Sequence, residues 1–146
     1  MSVQKAEALR RAYRLVGLQE YALAALCGGV GYCALEVLWR GWTHFSMALC
    51  GASCFLFFYF LEKRPRFREF LLITRALFGG LVITAVEFTV GCVVNLGLDL
   101  DVWSYEGMPY QLLGQICLPM SALWVVLAGA AFLLCDGMRK FIFRTE

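Results

Sequence analysis

Two glutamates stand inside apolar runs of this chain. Glu36 follows the glycine pair Gly28-Gly29 and Glu87 follows Gly79-Gly80, each eight residues after the first glycine of its pair. A carboxyl group in such a setting can hold a cation, carry a proton, bind a polar solute, or pair with a basic side chain. Arg40 is one helical turn beyond Glu36 and is the basic residue placed to pair with Glu36 or, across a bundle, with Glu87. Two nearby carboxylates without enough positive charge would share a proton. Asn95 lies two helical turns after Glu87 and roughly on its face. Gln111 and Gln115 are a turn apart, and Trp103 and Tyr105 sit between them and Asn95. Glu36, Arg40, Glu87, Asn95, Gln111 and Gln115 form the candidate polar site. Trp103 and Tyr105 either touch a solute from a loop or belong to an interfacial aromatic belt.

Other chemistry is thinly represented. Cys27, Cys33, Cys50, Cys54, Cys92, Cys117 and Cys135 almost all lie within apolar runs, and no CxxC occurs. They are expected to be small packing residues, with no disulfide framework, no metal and no cofactor. No Ser-His-Asp arrangement is spaced for catalysis. The single histidine, His44, reaches Glu36 only if the first helix continues past Trp39.

These residues need a scaffold, and composition names its solvent. The chain has 146 residues, 61% of them hydrophobic and 16% charged, well beyond the apolar share of a soluble domain. So small a globule could not hide the excess. Four apolar segments are long enough to cross a bilayer, which takes about 20 helical residues. They run from Gln19 to Trp39, Phe45 to Leu61, Phe70 to Leu96 and Gln111 to Cys135. Helices are expected because every backbone group must be paired inside lipid. The fold class is therefore an all-α, four-helix transmembrane bundle. The basic start of the chain leads into an apolar run too long for a cleaved leader, so the first helix is expected to stay.

Basic residues set the orientation. Lys5, Arg10, Arg11 and Arg14 precede the first span, Lys63, Arg64, Arg66 and Arg68 lie between the second and third, and Arg139, Lys140 and Arg144 follow the fourth. Eleven of thirteen thus fall on one side, which the positive-inside rule makes cytoplasmic, with both termini inside. Arg75 could snorkel back to that side, and Arg40 is left on the other. The net charge of +2 gives no case for nucleic acid. Residues 1–18 are expected to form a cytoplasmic amphipathic segment. Ala6, Leu9, Tyr13 and Val16 at helical spacing suit an interfacial helix. Residues 19–135 form the transmembrane domain and residues 136–146 a cytoplasmic tail.

The matched glycine-to-glutamate spacing suggests two parallel copies of a two-helix hairpin, related about the membrane normal. Trp42 before Gly51 and Trp103 before Gly114 extend the likeness at unequal distances. The glycines, with Ala25–Gly29, Ala48–Ala52 and Ala76–Gly80 as small residues four apart, are expected to let helices approach closely. Pro119 is expected to kink the fourth span.

One set of ordered motifs is familiar. The run Ala85–Gly91, then Val102-Trp103-Ser104-Tyr105, then Pro109–Leu118, then Ser121-Ala122-Leu123-Trp124 resembles the bacterial family called putative ABC-transporter type IV. Leu35-Glu36 through Arg40-Gly41 is similar to the same piece of its first half, and the resemblance spans roughly residues 28 to 140. Ser104 stands where that family often has aspartate, and Gln111 or Leu112 where it often has asparagine. The resemblance implies a transport component of the bacterial cytoplasmic membrane. The chain has no G-x-x-x-x-G-K-[ST] phosphate loop, so any ATPase is expected on a separate subunit, docking near residues 63–69. Four short helices leave little room for a path, so a homo-oligomer or a membrane partner subunit would supply further walls. Two other functions stay open: a non-catalytic membrane scaffold or regulator, and an enzyme acting on a lipid-linked substrate with Glu36 or Glu87 as base and Arg40 as anion holder.

Overall fold

The computed structural model describes the backbone of residues 3–143 and the side chains of residues 17–143. The expected interfacial face of Ala6, Leu9, Tyr13 and Val16, and the basic residues from Lys5 to Arg14 and at Arg144, lie outside the described side chains. Helix α1 runs Val3–Arg40 without a break at residue 18. It is followed by α2 (Phe45–Glu62), the single turn α3 (Pro65–Arg68), α4 (Leu72–Gly91) and α5 (Leu118–Gly137). A π-helical turn, Cys92–Gly97, extends α4, and another, Met138–Ile142, extends α5. Four stretches among the described residues are long and apolar enough to cross a membrane: Gly17–Arg40, Phe45–Glu62, Leu72–Gly97 and Leu118–Ile142. The protein is a four-helix transmembrane bundle, and the leucines, valines and phenylalanines on its outside meet lipid rather than water.

The fourth span departs from expectation at its start. Gln111–Leu112 (β1) and Ile116–Cys117 (β2) form an antiparallel hairpin in the register Gln111 to Cys117 and Leu112 to Ile116. Helix α5 begins only at Leu118, and Pro119 sits in its first turn. Proline there lacks only an N–H that would have no helical partner, so it starts the helix instead of kinking it.

Helix α1 packs on α2 and α4 packs on α5, while α2 also meets α4 and α5 and joins the hairpins. Each hairpin closes over its glycine pair. A methyl group at Gly28 would strike the Gly51 carbonyl and Phe55 of α2, and one at Gly29 would meet the Ala48 carbonyl. Gly79 faces Ala128 and Phe132 of α5, and Gly80 faces the backbone of Val125. Gly51 is thus a helix-contact residue, whereas Gly114 lies in the β1–β2 turn at φ +67°. The likeness between the two tryptophan-to-glycine stretches therefore does not extend to their structures.

The core lies towards the basic end of the bundle. Phe58 of α2 meets Phe132 of α5 at 4.7 Å between ring centroids, and Phe67 stacks on Phe132 at 5.5 Å. Two ion pairs close that end. Arg75 donates to Glu62 at 2.5 Å, and the Glu62 side chain is fully buried. Arg75 thus reaches towards the basic end, where the buried Glu62 carboxylate receives it. Glu20 accepts from Lys63 and, at 3.2 Å, from the Tyr59 hydroxyl.

Two outcomes are expected. Gly28→Val should cost about 1–3 kcal/mol by overpacking and lower the thermal midpoint in detergent, whereas Gly31→Val, with open space at its Cβ position, should not. Arg75→Leu should cost about 3–5 kcal/mol by stranding the buried Glu62 carboxylate. Adding Glu62→Leu should recover most of that loss in the same melting assay.

Candidate functional site

At the other end, the expected outer one, residues 98–115 connect α4 to β2, and the loop dips inward at Val102. Val102 is 2% exposed. Its backbone must then find partners inside the bundle, and side chains supply them. Asn95 Oδ1 accepts from the Val102 N–H at 2.7 Å, and Asn95 Nδ2 donates to the Trp103 carbonyl at 3.0 Å and to Gln115 Oε1 at 2.7 Å. Arg40 Nη1 donates to the Val102 carbonyl at 2.6 Å. Trp103 Nε1 donates to the Gln115 carbonyl at 3.0 Å, and the Tyr105 N–H donates to the Gly114 carbonyl at 2.7 Å. Gly91 makes room, since a Cβ there would meet Gln115 and Trp103.

The two glutamates take separate partners among the described residues. Glu36 Oε1 accepts from Arg40 Nη2 at 2.7 Å, and Glu36 Oε2 accepts from the Thr43 hydroxyl at 2.6 Å. Arg40 also lies 4.2 Å from the centroid of the Trp42 ring. Of the two pairings open to Arg40, the local one with Glu36 is realised. Glu87 Oε1 accepts from the Tyr105 hydroxyl at 2.7 Å and Glu87 Oε2 from Trp124 Nε1 at 2.6 Å. Both of its donors are uncharged. Burial, reinforced by the Glu87 carboxylate, pushes the Tyr105 phenol above its ordinary range, so it stays protonated and keeps donating.

The structure thus sorts the candidates. Glu36, Arg40, Asn95, Gln115 and Trp103 anchor the inward loop, and Tyr105 ties that loop to Glu87. Gln111 is not among them. It lies on the exposed strand β1, not on a helix, and its Oε1 accepts from the Gly114 N–H at 2.6 Å. Ser104 likewise works locally, accepting from the Glu106 N–H at 3.2 Å. His44 caps α2, its Nδ1 lying 2.8 Å from Ser46 Oγ, and does not pair with Glu36. Thr43 and Trp124 are the partners that sequence reasoning missed. Trp124 was in plain view in the last motif, but only the fold brings it to Glu87.

Glu87 forms part of the wall of a groove of about 360 Å³ on the side of the bundle. Helix α1 supplies Cys27, Gly31, Tyr32 and Leu35, α5 supplies Trp124, Leu127, Ala131 and Leu134, and Phe55 and Phe58 of α2 also line it. Tyr32 reaches across to Trp124, with ring centroids 6.0 Å apart. The groove exists because α1 packs mainly on α2 and leaves space beside α4 and α5. All seven cysteines are free thiols.

The fold and this groove define a small multi-pass membrane protein with a polar patch at one end. Residues 30–144 match the family model described as Putative ABC-transporter type IV, and the chain belongs to that family. It is a membrane component related to transport. No curated protein and no solved structure matches it.

Asn95→Leu removes all three side-chain bonds that hold the loop and strands buried backbone groups, at a cost of about 1–3 kcal/mol for each group left unpaired. Limited proteolysis in detergent should then cut near Gly107 much faster than in the wild type, with the helices still intact by circular dichroism.

Proposed function

We propose that this protein is a permease or transport component whose solute site is the Glu87 end of the lateral groove. Any ATPase is carried by a separate subunit. The observation behind this is the Glu87 side chain itself. It is a carboxylate in the wall of an otherwise apolar groove, held by two neutral donors and hydrogen-bonded to no cation among the described residues. A merely structural glutamate is usually neutralised, as Glu36 is by Arg40 and Glu62 by Arg75. The groove volume falls within the range of small-molecule sites.

The open side between α1 and α5 suits completion by a second copy of the chain or by a partner subunit. The basic stretch Lys63, Arg64, Arg66 and Arg68 is the surface for a cytoplasmic partner. On this reading the protein lies in the bacterial cytoplasmic membrane with both termini inside. Arg40 and His44, on which an enzyme reading would lean, are engaged in holding Val102 and in capping α2.

Purification from the native membrane in mild detergent, followed by mass spectrometry of bound small molecules and co-purifying proteins, tests the proposal. The wild type should carry a small molecule that falls at least tenfold in Glu87→Gln, at an unchanged elution volume. Equal retention by both would remove Glu87 from the solute site.

A further inference from the structure

The groove has two chemically different ends. At one, Glu87 is flanked by the rings of Tyr32, Trp103 and Trp124. From there, the wall of α5 continues from Trp124 to Leu134, ten residues or about 15 Å of helix, through apolar side chains alone. An occupant that matches both ends has a compact head, then an apolar body.

The charge of that head follows from what surrounds Glu87. Its hydrogen-bond donors, Tyr105 and Trp124, are neutral, and the nearest arginine of the outer end, Arg40, is committed to Glu36 and the Val102 carbonyl. An anionic head would face a carboxylate. A purely apolar occupant would leave Glu87 to be buried as the neutral acid, with a proton as its only counter-charge, whereas a cationic head lets it remain a carboxylate. A single positive charge satisfies it, and the aromatic rings that line this end of the groove suit an ammonium that cannot be fully hydrogen-bonded. The volume, about 360 Å³, lies at the low end of ligand sites and holds a compact body, not a two-chain phospholipid.

We propose that the groove binds a free monocationic amphiphile, an organic amine or quaternary ammonium, with its charge against Glu87 between Tyr32, Trp103 and Trp124 and its apolar body along α5. This rests on the solute-site reading above and names the substrate class of that site.

The test uses benzyltrimethylammonium and neopentylbenzene, which have the same shape and differ in charge. Binding is measured by tryptophan fluorescence with the full chain in dodecyl maltoside micelles, which carry no ammonium group. With each affinity referred to the measured concentration of compound in the micelles, the cation should bind saturably and at least tenfold more tightly than the neutral isostere. Glu87→Gln should weaken the cation at least tenfold and leave the isostere unchanged. Gly31→Leu puts a side chain into the groove where no atom of another helix lies within 4 Å of its Cβ, and it should weaken both. Equal affinity for the two compounds, or cation binding untouched by either substitution, would overturn the proposal. So would displacement of the cation by phosphatidylethanolamine or phosphatidylcholine added to the micelles, which would make a lipid headgroup the occupant. If Glu87→Gln loses its fold, the wild-type comparison and Gly31→Leu decide the matter. Absence of cation binding alongside a native small molecule that still depends on Glu87 would reject the substrate class and leave the transport reading standing. Loss of both would reject both.

Discussion

A stretch of backbone that enters a membrane bundle must bring or find a partner for every N–H and carbonyl, and Asn95 meets half of that demand for residues 102 and 103 while Arg40 takes the Val102 carbonyl. Much else at this end follows from that constraint. The π-helical turn after Gly91 places Asn95 under the loop. The lack of a side chain at Gly91 lets Trp103 and Gln115 settle against α4. The short hairpin delivers Gln115 to Asn95 and delays the start of α5 to Leu118. Trp124, two turns into α5, then reaches Glu87, and the inward loop places Tyr105 on the other oxygen. The loop is held although Asp99, Asp101, Tyr110 and Leu113 all adopt positive φ, a conformation that costs more for tyrosine and leucine than for aspartate.

Helix α2 holds the bundle together, and the unequal company it keeps creates the groove. Gly28 and Gly51 bring α1 and α2 almost into backbone contact, so α1 is drawn to α2 and away from α5. At the basic end, Phe58, Phe132 and Phe67 fill the interior, and buried ion pairs finish it. Beside Tyr32 and along α5 no such filling occurs, and the space remains. Close packing on one flank and the groove on the other thus come from the same small-residue contacts.

The sequence disclosed the bundle well. Hydropathy alone placed three of the four spans to within a few residues, because lipid imposes a length on them that no packing detail changes. The fourth was misjudged at its start, since Gln111 to Cys117 is apolar enough to pass as helix while Gly114 at positive φ makes a turn. Glu36 with Arg40 was legible because helix spacing alone brings them together. Glu87 was recognised as unusual, but its partners could not be read, as they lie 18 and 37 residues away and meet it only through the loop and the α4–α5 packing. Glu62 escaped notice because it lies at the end of a span, where a charged residue normally reaches water. Its complete burial depends on Arg75 from the next helix.

The groove opens on the flank of the bundle, and so into the hydrocarbon layer. A molecule reaching it would come sideways, already dissolved among acyl chains. Its effective concentration would be counted per lipid, not per litre. For a compound held almost wholly in the bilayer, doubling the amount of membrane at fixed dose would halve occupancy in the dilute limit. Any apparent affinity therefore carries the partition coefficient of the ligand within it. Two compounds with identical contacts to Tyr32 and Glu87 would rank in the order in which they enter the bilayer.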